Sequence, residues 1–151
     1  EFSVAIADCP NACSQPQIRD IGIITALKPA LSDDTCSQCG VCIEICKESA
    51  VALNSDIPEI DFSRCLFCGQ CIRFCPSGTI VEGEKGFRIQ LGGKLGRHPR
   101  LGTELPGIFS ADEVTDILTA CIRFYKTHSK NGERFASVFH SGNVILTDTV
   151  S

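Results

Sequence analysis

Two stretches of the chain have the spacing of apolar residues that predicts β-strands. Residues 21–27, IGIITAL, form a continuous apolar run of the length expected for a buried strand, and we expect Lys28 and Pro29 to end it. Residues 86–92, GFRIQLG, alternate between apolar and polar and predict a second strand. Shorter apolar runs predict three further short strands, at 51–53, 59–61 and 79–81.

A third pattern, with apolar residues three and four positions apart, predicts an amphipathic helix. It follows Ser110 and Glu113, which have the spacing of a capping box. The apolar positions of the helix are Val114, Ile117, Leu118, Cys121, Ile122 and Tyr125. Cys121 lies in the middle of this stripe, so we expect a buried core thiol there. We expect Asn131 and Gly132 to end the helix, a shorter helix to start near Glu133, and a last strand at 143–147.

The composition narrows the possible functions without selecting one. The 151 residues are 43% hydrophobic, as in an ordinary globular protein, and their formal net charge of -4 disfavours a general nucleic-acid-binding protein. No apolar run approaches the ~18–20 residues that span a membrane, and the first residues lack the basic and apolar regions of a secretory signal. The chain contains no Met, so we expect a fragment of a longer protein.

Eight of the eleven cysteines form two copies of one spacing, C-x2-C-x2-C-x3-C. Residues 64–82, RCLFCGQCIRFCPSGTIVE, repeat residues 35–53, TCSQCGVCIEICKESAVAL, at an offset of 29 positions, which indicates an internal duplication. The two-residue gaps bring three thiols around one point in each copy. This arrangement suits a metal centre better than several disulfides, and it favours a reducing, cytoplasmic compartment.

The spacing is the bacterial-type ligand run for a pair of [4Fe–4S] clusters, in which the fourth cysteine of each run binds the other cluster. The first cluster is therefore assigned to Cys36, Cys39, Cys42 and Cys75. The second is assigned to Cys65, Cys68, Cys71 and Cys46. Zinc and disulfides are the alternatives, although structural zinc sites typically use two close pairs of cysteines and do not need a third close thiol.

The flanking motifs resemble the sirohaem-dependent sulfite and nitrite reductase family. CPNAC (9–13) is similar to the second cysteine pair of that family, RDIGII (19–24) to its next strand, and GGKLGRHPR (92–100) to the segment after that strand. The duplicated cysteine run lies between CPNAC and GGKLGRHPR, which is the order in the dissimilatory and anaerobic sulfite reductases. The resemblance covers nearly all of the chain.

The resemblance implies roles for five further residues. Cys9 would be a ligand of another [4Fe–4S] cluster, and Cys13 would be the thiolate that bridges this cluster to the sirohaem iron. Lys94, Arg97 and Arg100 would lie near the sirohaem carboxylates or the anionic substrate, the alternative being a solvated basic loop. The family's first cysteine pair is absent from this chain. We therefore expect the chain to bind two clusters but no sirohaem, which needs the full-length enzyme, and to be inactive by itself.

These observations predict an α+β fold in which a two-[4Fe–4S] ferredoxin-like domain (32–84) is inserted in part of a sirohaem reductase domain (1–31 and 85–151). The expected function is electron transfer from a donor protein or subunit to the sirohaem centre of a sulfite or nitrite reductase, with the rest of the reductase as a partner. Three alternatives stay open: a stand-alone ferredoxin-like carrier, a subunit of another iron–sulfur oxidoreductase, and a zinc- or cluster-stabilised interaction module without a redox role.

Overall fold

The computed structural model describes residues 1–130 and 132–139, and these residues form an α+β fold. In chain order the elements are β1 (Val4–Ala7), a 3-10 helix (Pro16–Ile18), β2 (Ile21–Leu31), α1 (Val41–Ile45), β3 (Val51–Asn54), β4 (Ile57–Ile60), α2 (Gln70–Arg73), β5 (Ile80–Leu91), β6 (Thr103–Glu104), α3 (Ala111–His128) and α4 (Phe135–Val138). One sheet has the strand order β1-β2-β5-β6, and β3 and β4 form a second, antiparallel sheet. β1 is parallel to β2, whereas β6 is antiparallel to β5.

The chain divides into two compact units. One contains residues 1–25 and the chain from Gly86 onward, and the other contains residues 26–85. The long strands β2 and β5 contribute residues to both units, because each crosses a boundary between them.

The first unit has a conventional hydrophobic core between its sheet and α3. Its buried members are Ile21, Ile23, Ile89, Leu91, Val114, Ile117, Cys121, Phe135 and Phe139. The predicted capping box is present at the start of α3: the Ser110 hydroxyl accepts the N–H of Glu113 at 3.3 Å, and the Glu113 carboxylate accepts the N–H of Ser110 at 2.7 Å. Cys121 is fully buried, and this burial raises the pKa of its thiol to about 12. The expectation of a core thiol is confirmed.

The second unit has a much smaller core, and half of it is cysteine. Cys42, Val51, Cys71 and Ile80 are its buried members, and Cys46 and Cys75 pack against them. Four buried side chains are few for a unit of this length, and small domains of this kind usually need a further constraint such as a metal site.

The strand predicted at 21–27 is longer than expected, because Pro29 does not end it. The N–H of Ile21 donates to Ser3 at 3.1 Å and that of Leu27 donates to Phe67 at 2.7 Å, so alternate N–H groups of β2 face away from β5. Pro29 is two residues beyond Leu27 and lies on that same side, past the last residue that pairs with β1. A proline there removes no hydrogen bond to β5, so the strand continues to its end.

Other boundaries also differ from the predictions. The strands predicted at 79–81 and 86–92 belong to one 12-residue strand, β5. The strands predicted at 51–53 and 59–61 correspond to β3 and β4, and β1 was not predicted. α3 ends at His128, before the predicted stop, and α4 starts two residues after Glu133. Asn131 and the strand predicted at 143–147 lie outside the described residues.

Candidate iron–sulfur site

The two cysteine runs follow the same backbone path. Each run contains three residues in the left-handed conformation, and these occupy equivalent repeat positions: Gln38 and Phe67, Gly40 and Gly69, Ser49 and Gly78. Each run then enters a short helix one residue before its third cysteine. Left-handed residues turn the chain sharply, so the three close thiols of each run can face a common point.

The equivalent glycines differ in their surroundings. A Cβ built on Gly40 would meet nothing within 4 Å. A Cβ on Gly69 would lie 2.6 Å from Cδ2 of Leu27 and 3.2 Å from its Cβ and Cγ. The second run is therefore packed tightly against β2, whereas the first run is open at this position.

One cavity brings together the four cysteines assigned to the first cluster. Cys36, Cys39, Cys42 and Cys75 all line it, and about 280 Å³ of empty space lies among its walls, counting the part open to solvent. The volume equals that of several water molecules, at ~30 Å³ each, so these thiols surround a space. Cys46, the fourth cysteine of the first run, does not line this cavity.

The other four cysteines also lie close to one another. Burial raises the pKa of the Cys71 thiol to about 11, and the neighbouring thiols of Cys65, Cys68 and Cys46 raise it further towards that value. Burial likewise raises the pKa of Cys42, with Cys36 and Cys39 as its neighbouring thiols. Each buried third cysteine therefore has the first two cysteines of its own run beside it, and Cys71 also has the fourth cysteine of the first run.

Backbone N–H groups point at sulfur atoms in both sets. Gln38 donates to Cys36 Sγ at 3.4 Å, and Ala50 donates to Cys46 Sγ at 3.3 Å. Ile80 donates to Cys75 Sγ at 3.5 Å. Partial burial by itself would raise the pKa of Cys75, but hydrogen bonds from Ile80 and Ser77 outweigh it, and the pKa is lowered. Donors of this kind favour negative charge on the sulfur atoms.

Among the described residues, no three His, Cys, Asp or Glu side chains are grouped so that they could hold a single metal ion. This finding is compatible with a cube, because each thiolate of a four-iron cube binds a different iron atom. The four sulfur atoms then lie farther apart than the ligands of one ion. The cavity described above, with a cysteine on each wall, is therefore the relevant geometry for a cluster.

The CPNAC segment forms a tight turn that presents both of its thiols at the surface. The N–H of Ala12 donates to the carbonyl of Cys9 at 3.0 Å, and Ala12 is in the left-handed conformation. Ala12 is buried beneath the turn, whereas Cys9 and Cys13 are exposed. The structure therefore places the two thiols predicted to face a further cluster on one outward turn.

The basic loop at 92–102 packs on the segment that follows CPNAC. A Cβ on Gly93 would lie 2.4 Å from the carbonyl oxygen of Gln17, so only glycine fits there. The guanidinium of Arg100 donates to the carbonyl oxygens of Gly92 at 3.0 Å and of Ala136 at 2.6 Å. Arg100 thus has a structural role in the loop.

The other two predicted cations of this loop are Lys94 and Arg97. Arg97 is exposed and Lys94 is partly exposed, and neither side chain has a hydrogen bond or ion pair within the part of the chain that the structure describes. Their charges are available to an anion. A role for these residues, or for Arg100, towards sirohaem stays a prediction.

Residues 1–141 match the family described as the nitrite and sulphite reductase 4Fe-4S domain. The chain belongs to this family. Membership confirms the resemblance inferred from CPNAC and the basic loop, and the family's description supports iron–sulfur binding by the chain. It does not fix the number of clusters.

Two curated relatives of this reductase-domain family are sulfite reductases. The chain is 34% identical over 134 residues to the coenzyme F420-dependent sulfite reductase of Methanocaldococcus jannaschii, which covers 89% of this chain and 22% of the relative. It is 36% identical over 50 residues to one of the subunits of the anaerobic sulfite reductase of Salmonella typhimurium, which covers 33% of this chain and 15% of that relative. The chain therefore corresponds to a minor part of each relative.

A solved structure supports the α+β fold. The chain is similar to the crystal structure of dissimilatory sulfite reductase I, with a TM-score of 0.61 and 20% sequence identity, over 91% of this chain and 39% of that one. In residues 1–130 and 132–139, no helix is long and apolar enough to cross a bilayer.

Sequence reasoning missed two polar residues beside the cysteines. Ser77 and Thr79 line the cavity of the first ligand set, and the Ser77 hydroxyl lies 3.6 Å from Cys75 Sγ. The repeat carries a signal that could have identified them, because the equivalent positions of the first run are occupied by Glu48 and Ala50. Hydroxyls present in only one of two matched copies indicate a local difference between the two sites.

Proposed function

We propose that this chain carries single electrons on two [4Fe–4S] clusters towards the sirohaem centre of a sulfite or nitrite reductase, of which it forms a part. The observation that carries the proposal is the cavity whose walls hold three cysteines of the first run together with Cys75 of the second. A bound cluster would supply the chemistry, because a [4Fe–4S] cube accepts and releases one electron at a time.

The first cube would be held by the four cysteines that line this cavity. Cys42 is the buried member of the set, whereas Cys39 is exposed, so the site has a dry side and a side open to solvent. Gln38 and Ile80 would each donate an N–H to a ligand sulfur. These donors favour the more negative, reduced state of a bound cube.

The second cube would be held by Cys65, Cys68, Cys71 and Cys46. The support is the position of Cys46, which is close enough to affect the ionisation of Cys71 and does not line the first cavity. The N–H of Ala50 would donate to this fourth ligand. Each run would thus give its last cysteine to the other site, so the two runs would be tied together when the metal is bound.

The surface turn of CPNAC supports a role for the chain beside sirohaem. Cys9 and Cys13 would supply two of the four ligands of the cluster that is bridged to the haem, and the other two would come from a cysteine pair elsewhere in the reductase. Lys94 and Arg97 would face the anionic groups of the haem or substrate. The two relatives described above are named as sulfite reductases, so sulfite is the favoured substrate of the parent enzyme.

The partners that follow from this proposal are the rest of the reductase and an electron-donor protein or subunit. The domain organisation proposed from the sequence is a ferredoxin-like insertion at 32–84 within a reductase domain. A cytoplasmic location stays a prediction. The stand-alone carrier is the competing function, and an upstream cysteine pair in the longer protein would distinguish the reductase from it.

The direct test is metal analysis of the anaerobically purified chain. Two cubes require about eight iron and eight acid-labile sulfide atoms per chain, since each cube has four of each. The visible absorbance should bleach with dithionite and return on oxidation. One stoichiometric zinc ion without iron, or disulfides among the eight cysteines, would contradict the proposal.

A further inference from the structure

The two proposed cluster sites differ in one hydrogen-bonding feature, a pair of hydroxyl groups beside Cys75. The Ser77 hydroxyl lies 3.6 Å from Cys75 Sγ and 2.9 Å from the hydroxyl of Thr79. Thr79 is buried, with 4% of its surface exposed. The three groups form a chain from the protein interior to the sulfur atom.

The direction of this chain follows from the chemistry of the ligand. A thiolate that binds iron has no proton, so Cys75 Sγ can only accept a hydrogen bond. Ser77 must then donate to the sulfur atom, and the hydroxyl of Thr79 is left to donate to Ser77. Each hydroxyl has one proton to give, so this arrangement uses both.

The turn that carries Ser77 and Thr79 is held by Ser32. The N–H of Ser32 donates to the carbonyl oxygen of Thr79 at 2.9 Å, and its hydroxyl donates to the carbonyl oxygen of Gly78 at 2.8 Å. The hydroxyl of Ser77 is therefore positioned by a fixed backbone.

The first run has no equivalent pair. Glu48 and Ala50 occupy the positions 29 residues before Ser77 and Thr79, and Glu48 is exposed. Both fourth cysteines accept a backbone N–H, Cys46 at 3.3 Å and Cys75 at 3.5 Å. The backbone donors at the two fourth cysteines are thus alike, and the additional O–H donor is on Cys75.

We propose that the Ser77 hydroxyl, held by Thr79, makes the cluster bound through Cys75 the more easily reduced of the two. A donor to a ligand sulfur stabilises added negative charge on the cluster. In a singly reduced chain, one electron would leave the cluster bound through Cys46 and be gained by the cluster bound through Cys75, with no bond broken. The inference depends on the proposed function, since it needs both clusters.

The test is a redox titration of the cluster-loaded protein with Ser77→Ala, Ser77→Thr and Ser37→Ala. Ser77→Ala should lower the less negative of the two midpoint potentials and leave the other unchanged. The expected change in the electron-exchange constant is about tenfold, or about 59 mV for one electron. Ser77→Thr keeps the hydroxyl and should retain the separation. Ser37 is exposed in the first run without a described hydrogen bond to sulfur, so Ser37→Ala should change neither potential.

A second readout follows the proton itself. An exchangeable proton coupled to the reduced cluster should be visible by electron–nuclear double resonance in the unmodified protein and in Ser77→Thr, and absent in Ser77→Ala. The inference is overturned if Ser77→Ala moves neither potential, moves only the more negative one, or moves both equally. About eight iron atoms per chain with unmoved potentials would refute this inference alone, whereas a protein without two clusters would refute the proposed function as well.

Discussion

Exchange of the fourth cysteines between the two clusters can be tested with two double variants that differ in one residue. Cys36→Ala removes a ligand of the first cluster in either arrangement. Combining it with Cys75→Ala removes a second ligand from that same cluster if the ligands are exchanged. Combining it with Cys46→Ala instead removes one ligand from each cluster, because Cys46 lies beside Cys71 and outside the first cavity.

The expected iron contents follow from this geometry. The Cys36/Cys75 double variant should keep its second cluster and retain about four of the eight iron atoms. The Cys36/Cys46 double variant damages both sites and should retain clearly fewer. Each variant loses two cysteines from a unit whose core is small, so the loss of packing is similar in the two proteins.

The assay is iron and acid-labile sulfide content per chain after anaerobic reconstitution, together with the low-temperature magnetic resonance spectrum of the dithionite-reduced protein. The Cys36/Cys75 variant should show the spectrum of one isolated reduced cluster. If ligands stayed within their own runs, the two iron contents would be reversed. More iron in the Cys36/Cys46 variant would therefore refute the exchange.

Three further predictions concern stability and ionisation. Gly40→Ala should cost about 1 kcal/mol from left-handed strain, whereas Gly69→Ala should cost ~2–4 kcal/mol because its Cβ would also press on β2 from 2.6 Å, measured as the urea concentration that bleaches the clusters. Ser110→Ala should lower the free energy of unfolding by about 1 kcal/mol through loss of the α3 cap, measured by chemical denaturation. Partial burial alone would raise the pKa of Glu104, but the bidentate bond from Arg88 outweighs it and lowers the pKa, so Arg88→Gln should raise that pKa in a carboxyl NMR titration.

The sign of the last effect sets its pH window. The pKa of Glu104 in the folded protein is below its ordinary value of 4.5, so the ion pair stabilises the fold fully above that value. This contribution is lost as the pH falls through the lowered pKa. Equal urea midpoints for the two glycine variants, an unchanged stability in Ser110→Ala, or an unchanged Glu104 titration in Arg88→Gln would each contradict the corresponding prediction.

Much of the local structure could be predicted from the sequence because it depends on near neighbours. The capping box of α3 needs only Ser110 and Glu113, and both hydrogen bonds are present. The helical spacing that includes Cys121 predicts the buried face of the same helix. The cysteine runs predict the two turns, since the offset of 29 residues recurs in the backbone as paired left-handed positions.

The sequence by itself therefore determined the family, the fold class and the eight candidate ligands, because each depends on residue identity and spacing along the chain. The tertiary structure decided the rest, because it depends on contacts between distant residues. Pro29 continues β2 since its missing N–H faces away from β5, and Arg100 is held by carbonyl groups as far along the chain as Ala136. The position of Ser77 beside the sulfur of Cys75, with Ser32 holding its turn, likewise depends on a fold that no local pattern specifies.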